Sequence, residues 1–264
     1  MLLSRIFKEI KADPLKYATS NTGEDFEANF MKLLRKEGFI HIKAGKNFSA
    51  AQSEIKELEK NSTFSSDAEL KQILKKIKEQ ILDKTSTELV ENPFQNFNEY
   101  FIYQPYGSQN FPDFLVFSSK YIIPIETKFS KYEDKLKSKE ISSRPVWNSN
   151  LPKANAIYLY AVSGRDTTFF MGSDILNNDV RRILIEYFEN LDKGTDQLDK
   201  LLSNLDNNFG FYPYIRKAYE QKQEKSTYQK DGKIAIESYF SNKRDQRENT
   251  VIDFLSSLED KEKK

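Results

Sequence analysis

The stretch GSQNFPDFLVFSSKYIIPIETKFSK, residues 107–131, decides how the chain folds. It holds two apolar, strand-like runs, 111–118 and 121–129, joined by a polar Ser-Ser-Lys, and so predicts a β-hairpin. Asp113 stands at the head of the first run, and Glu126 and Lys128 stand inside the second. Successive side chains of a strand alternate faces, so Glu126 and Lys128 project together while Ile125, Thr127 and Phe129 project the other way. Asp113 joins the charged face if the hairpin register brings it alongside. Two carboxylates and an ammonium are costly to bury together without compensation.

A divalent cation is the compensation these residue types suggest. Mg²⁺ takes a few carboxylate and carbonyl oxygens, keeps some of its water, and tolerates an open position that a phosphate oxygen can fill. Asp113 and Glu126 supply carboxylate oxygens, the carbonyl of Thr127 is a further candidate ligand, and Lys128 is placed to hold the attacking water. With no cysteine and one histidine, His41, the chain cannot build disulfides, thiolate nucleophiles, Cys-based metal sites or paired-histidine sites. His41 itself lies in a short alternating segment, GFIHIKAG, and reads as a strand histidine with a satisfied hydrogen bond.

Outward from the hairpin, residues 20–37 predict a helix capped by Thr22, with Phe26, Phe30, Leu33 and Leu34 on one face and Gly38 as its stop, running into a strand at 39–43. Residues 51–60 and 67–83 read as further helix. Residues 153–164 and 167–173 read as two more strands, followed by a helical C-terminal portion that ends in an amphipathic helix near 248–259. The chain has 264 residues, 38% of them hydrophobic, without repeats or a clear linker, which suits one domain. Its net charge of +1 means that a polyanion must be met by a local basic patch. The apolar start of the chain is broken by Arg5, Lys8 and Glu9, and no segment is long enough to span a bilayer, so a cytoplasmic protein is expected.

The Pro112-Asp113-Phe114 tripeptide, followed by Glu126-Thr127-Lys128 on the next strand, resembles the PD-(D/E)XK nuclease superfamily. The helix GEDFEANFMKLLRKEGF resembles that superfamily's first core helix, and by that resemblance Glu27, rather than Glu24, assists the metal site. The string RPVWNSNLPKANAIYLY, 144–160, is similar to type II restriction endonucleases of the group. The Glu-x-Lys triplet alone has little meaning, because Glu9, Glu54, Glu69, Glu133, Glu220, Glu259 and Glu262 each begin another one in charged segments. Glu126 alone combines it with an apolar strand and an upstream Pro-Asp.

The resemblance implies an α/β fold: a central mixed β-sheet flanked by helices, a core at about 20–173, a helical insert at about 44–98 and a helical C-terminal part at about 174–264. It implies a Mg²⁺-dependent endonuclease that cuts double-stranded DNA at a short site, working as a homodimer. DNA contacts are expected from Lys131, Lys135 and Arg144 in the basic stretch after the second strand, and from Ser108, Gln109 and Asn110 before Asp113. Asn148 and Ser149, in the loop between Pro145 and Pro152, and Lys153 just beyond it complete that set. Arg165, Arg181 and Arg182 are weaker candidates of the same kind. Three alternatives stand beside this reading. One is a sequence-nonspecific repair or defence nuclease of the same superfamily, and another is an inert DNA-binding module. The third is a glycoside hydrolase using the two carboxylates, against which Lys128 counts because it should depress the pKa of Glu126.

Overall fold

The computed structural model describes residues 2–42, 67–94, 98–107, 110–130, 151–175, 178–203, 240 and 242–262. The described residues of Met1–Pro145, Lys153–Ile175 and Ser238–Lys264 form one compact unit, and those of Val146–Pro152 and Leu176–Glu237 a second. Three helices open the first unit: α1 (Leu2–Ala12), the short α2 (Pro14–Tyr17) and α3 (Gly23–Lys36). Strand β1 (Ile40–Ile42), helix α4 (Asp67–Leu82), the two-residue β2 (Val90–Glu91) and β3 (Tyr100–Tyr103) follow. Then come β4 (Phe114–Phe117), β5 (Tyr121–Ser130), β6 (Ile157–Val162) and β7 (Asp166–Met171). Helix α5 (Asn178–Ser203) belongs to the second unit, and α6 (Arg244–Glu262) returns to the first.

The strands make one mixed sheet in the order β1-β3-β4-β5-β6-β7, with β2 pairing the beginning of β5. Two pairings are parallel, β1 with β3 and β5 with β6, and the others are antiparallel. The predicted α/β fold, a mixed sheet flanked by helices, is therefore the observed one. Thr22 caps α3 as expected, its Oγ1 accepting the Asp25 N–H at 3.1 Å. Gly38 ends the helix region with φ of 95°, a conformation that only glycine adopts freely.

One face of the sheet carries the core. Phe114 and Val116 of β4, Ile123 and Ile125 of β5, and Ile157, Leu159 and Ala161 of β6 pack with Phe26, Phe30 and Leu34 of α3. Leu3, Ile6, Phe7 and Ile10 of α1 and Val251, Ile252 and Leu255 of α6 close the same core. Phe30 meets Phe114 edge-on with ring centroids 5.1 Å apart, and Phe7 meets Phe169 at 4.8 Å. Burying each of these phenylalanines contributes about 2 to 3 kcal/mol. The opposite face is also covered: Phe94 packs towards Phe117, and Tyr158 stacks between Phe111 and Phe170.

Three differences from the sequence reading follow from this packing. Residues 2–12, taken there only as the charged start of the chain, are a core helix whose charges Arg5, Lys8 and Lys11 lie off the Leu3-Ile6-Phe7-Ile10 face. The helical C-terminal part is not one body, because α6 joins the core and is clamped to β7 by Arg244, which donates to Asp166 and Glu248 at 2.7 Å. The insert contributes a strand, β2, as well as α4, while the helix expected at 51–60 lies outside the described residues. His41 behaves as expected: its Nδ1 accepts from the Arg35 guanidinium at 3.0 Å and its ring stacks on Phe101.

Candidate active site

Strands β4 and β5 pair through Phe114 and Ile125, and the next position of that register sets Asp113 opposite Glu126. There β4 ends, while β5 continues to Ser130 with β6 along its other edge. The edge of β5 that β4 vacates would leave the Thr127 N–H unpaired, and the Asp113 carboxylate takes its place. Oδ2 of Asp113 accepts both the Thr127 N–H and the Thr127 hydroxyl at 2.7 Å. In return the Asp113 N–H donates to Oε2 of Glu126 at 3.2 Å. In an extended strand the N–H and C=O of one residue point to the same edge, so the Thr127 carbonyl faces this opening as well.

Glu126 and Lys128 share the face away from α3, and the Lys128 ammonium donates to Oε1 of Glu126. The charges thus meet somewhat differently from the single-face cluster anticipated from alternation. Glu126 and Lys128 stand on one face, Thr127 with its hydroxyl is on the other, and the Asp113 carboxylate spans the open edge between them. The reason is the divergence of the strands, which gives Asp113 a backbone donor to satisfy.

Helix α3 brings the third carboxylate. With Phe26 and Phe30 turned into the core, Glu27 falls at the helix border, half-buried, where its Oε2 accepts the hydroxyl of Tyr103 at the end of β3. Gln104 follows; its side-chain amide donates to the Tyr103 hydroxyl at 2.8 Å, and its N–H donates to the Asp113 carbonyl at 2.7 Å. Glu24 remains exposed in the first turn of α3. The sequence reading passed over Tyr103 and Gln104. A tyrosine closing an apolar strand, YFIYQP, was the available signal, but the partner in α3 lies 76 positions away in the chain.

Burial dominates the electrostatics. It pushes the Glu126 carboxyl up from 4.5 to about 7, Asp113 adds to that rise by repulsion, and Lys128 opposes it. The lysine therefore does not hold Glu126 below its ordinary range, contrary to the expectation from sequence, because the desolvation outweighs it. Asp113 is raised by burial too, against the hydrogen bonds from Thr127 and the charge of Lys128. Glu27 is raised by burial, with the Tyr103 bond opposing and the charge of Asp113 reinforcing. Among the described residues no three His, Asp or Glu side chains are grouped as a preformed metal cage. What the edge holds is a coupled acidic pair with one ammonium, and Glu27 bound to Tyr103 beside it.

Of the expected DNA contacts, Ser108, Gln109, Lys131, Lys135, Arg144, Asn148 and Ser149 lie outside the described residues. Asn110 is exposed, but its side-chain amide donates to the Tyr106 carbonyl at 2.8 Å and so shapes the loop that leads to Asp113. Lys153 has to be reassigned. It is 2% exposed, and its ammonium donates to the Leu82 carbonyl at the end of α4, so it caps a helix and offers nothing to a phosphate. Within the second unit Arg181 is likewise buried, donating to the Pro152 carbonyl at 2.7 Å. No helix among the described residues is long and apolar enough to cross a membrane. Comparison of the chain with protein-family models, with curated proteins and with solved structures finds no match.

Proposed function

We propose that this protein is a Mg²⁺-dependent endonuclease that hydrolyses double-stranded DNA, of the site-specific, type II restriction kind. The observation that carries the reading is the coupled pair Asp113 and Glu126, joined by Lys128 at the open edge of β5. Two buried carboxylates pushed above their ordinary pKa and balanced by a single ammonium leave negative charge for a hard cation to neutralise. Asp113, Glu126 and the Thr127 carbonyl would hold the ion, which when bound supplies Lewis-acid stabilisation and a water acidic enough to react at neutral pH.

The chain's own part is positioning and charge. Lys128 carries a positive charge beside Glu126 and can donate to the attacking water or to a phosphate oxygen as charge builds there. Thr127 fixes the Asp113 carboxylate through two hydrogen bonds, so this group does not reorganise during reaction. The raised pKa of Glu126 also suits a general acid, as in a glycoside hydrolase. Such an enzyme, however, needs a sugar-sized cleft around its carboxylates. Among the described residues, a cleft of about 910 Å³ is lined by α4, residues 83–93, Tyr121 and the end of α6, and includes neither carboxylate.

Plasmid incubated with the protein and Mg²⁺ tests the proposal, and end-sequencing of the products reads the specificity. Cutting at one short sequence is expected, abolished by EDTA and lowered by at least about 100-fold in Lys128→Ala, the usual effect of losing a group that stabilises transition-state charge. Scattered ends would keep the chemistry and remove the restriction reading; undiminished cutting in EDTA would remove both. A palindromic site would further imply a homodimer, since two-fold DNA is matched most simply by two copies of one site.

A further inference from the structure

Helix α5 carries a stripe that its own unit leaves open. Of the large hydrophobic side chains that stand exposed among the described residues, three lie on this one helix: Ile183 is 60% exposed, Tyr187 45% and Leu201 66%. They are not scattered. Together with Asn190, Gly194 and Gln197 they recur in steps of four and three residues, 183-187-190-194-197-201, the spacing that lays side chains along one line of a helix. All six are exposed and none is charged, although Arg182, Glu186, Glu189, Lys193 and Asp196 stand exposed on the same helix. The side that α5 turns inward is a different one, where Arg181 is buried and Leu184, Leu191 and Leu198 are half-buried.

The stripe is its own complement. Its steps read the same from either end, with their midpoint at the level of Asp192. Laid antiparallel on a second copy, Ile183 meets Leu201, Tyr187 meets Gln197 and Asn190 meets Gly194, and each pair occurs twice, as a two-fold interface requires. The end pairs set apolar on apolar, and the Tyr187 hydroxyl faces an amide able to bond it. At the centre, a Cβ added to Gly194 would meet nothing within 4 Å. Packing within the chain therefore gives no reason for a glycine in this helix interior, where it is unfavourable, whereas close approach of a second helix does. Charge agrees as well: Glu186 and Lys200 flank one side of the stripe, both exposed, and antiparallel pairing brings each Glu186 near the partner's Lys200.

We propose that α5 is a self-association surface, on which two copies of this chain pair antiparallel through Ile183, Tyr187 and Leu201 with Gly194 at the crossing. The inference stands apart from the acidic edge and does not depend on a cation binding there.

The chain has no cysteine, so disulfide trapping on the full-length protein reads the pairing directly. Ile183→Cys and Leu201→Cys proteins, mixed, allowed to exchange and mildly oxidised, are expected to cross-link one to the other. Neither should cross-link alone, because antiparallel pairing about residue 192 holds like positions about 27 Å apart at 1.5 Å per residue. In sedimentation velocity the wild type is expected at twice the 30.9 kDa of one chain. Ile183→Lys or Leu201→Glu alone should weaken the dimer by at least about 10-fold, with unchanged circular dichroism because both positions are exposed. The two substitutions in one chain set lysine against glutamate at both ends and should restore association. A wild type that stays monomeric, single-cysteine proteins that cross-link as readily as the mixture, or a dimer indifferent to the single charged substitutions overturns the proposal. None of these results alters the nuclease reading, which plasmid cleavage tests separately.

Discussion

Replacing Glu126 by glutamine should make the protein more stable at neutral and alkaline pH while destroying its activity. The carboxyl is raised from 4.5 to about 7 in the folded chain, a difference worth about 3 kcal/mol at about 1.4 kcal/mol per tenfold. Between those two values the folded state still holds a proton that the unfolded state has released. Stability from this group is therefore intact below about 4.5, falls as pH rises through the window, and stays reduced above about 7. Glutamine keeps an acceptor for the Asp113 N–H and for the Lys128 ammonium but carries no charge, so it abolishes the penalty. The attraction of Lys128 is already contained in that raised value, so the net gain is about 3 kcal/mol at pH 8 and about none at pH 4.5. Urea denaturation in EDTA at the two pH values reads this directly; with a typical urea dependence the midpoint should rise by about 1 M at pH 8 only. Mg²⁺ should then raise the wild-type midpoint and leave that of the variant unchanged, since the variant has lost a ligand. Equal midpoints for the two proteins at pH 8, or a gain of the same size at pH 4.5, would show that Glu126 is not a strained buried carboxylate.

Two further outcomes concern residues outside the acidic edge. Lys153→Gln should lower stability by about 1 to 3 kcal/mol through loss of the bond to the Leu82 carbonyl, and leave DNA affinity measured by fluorescence anisotropy unchanged. Glu9 is held down from 4.5 to about 2, chiefly by the Tyr17 hydroxyl at 2.6 Å and also by Lys16 and Lys36. Its contribution is present above about 4.5 and is lost as pH falls towards 2; because the group is partly solvated, Glu9→Gln should cost only about 1 kcal/mol at pH 7 and nothing at pH 2, by chemical denaturation.

The strands of the hairpin were legible because apolar runs of strand length, bounded by polar turns, have few ways to bury themselves. Helix α3 was legible through its Thr22 cap and the Phe26-Phe30-Leu33-Leu34 spacing. These signals are local, carried by neighbours in the chain. Helix α1 shows the same apolar spacing at Leu3, Ile6, Phe7 and Ile10, yet its place in the core depends on β7 and α6, far along the chain. Lys153 illustrates the limit for function: a lysine next to a basic stretch suits phosphate in sequence, and only the end of α4 turns it inward.

What the residues determined on their own was the identity of the charged groups and the element carrying each: Asp113 entering one strand, Glu126 and Lys128 alternating along the next, Glu27 on a capped helix. What only the tertiary structure decided was how they meet. The strands part after Phe114, Asp113 moves to the vacated edge to satisfy the Thr127 N–H, and Tyr103 reaches Glu27 across the fold. The pKa of Glu126 belongs to the same level, because a neighbouring lysine is visible in sequence whereas the loss of water around a carboxylate exists only once the chain has packed.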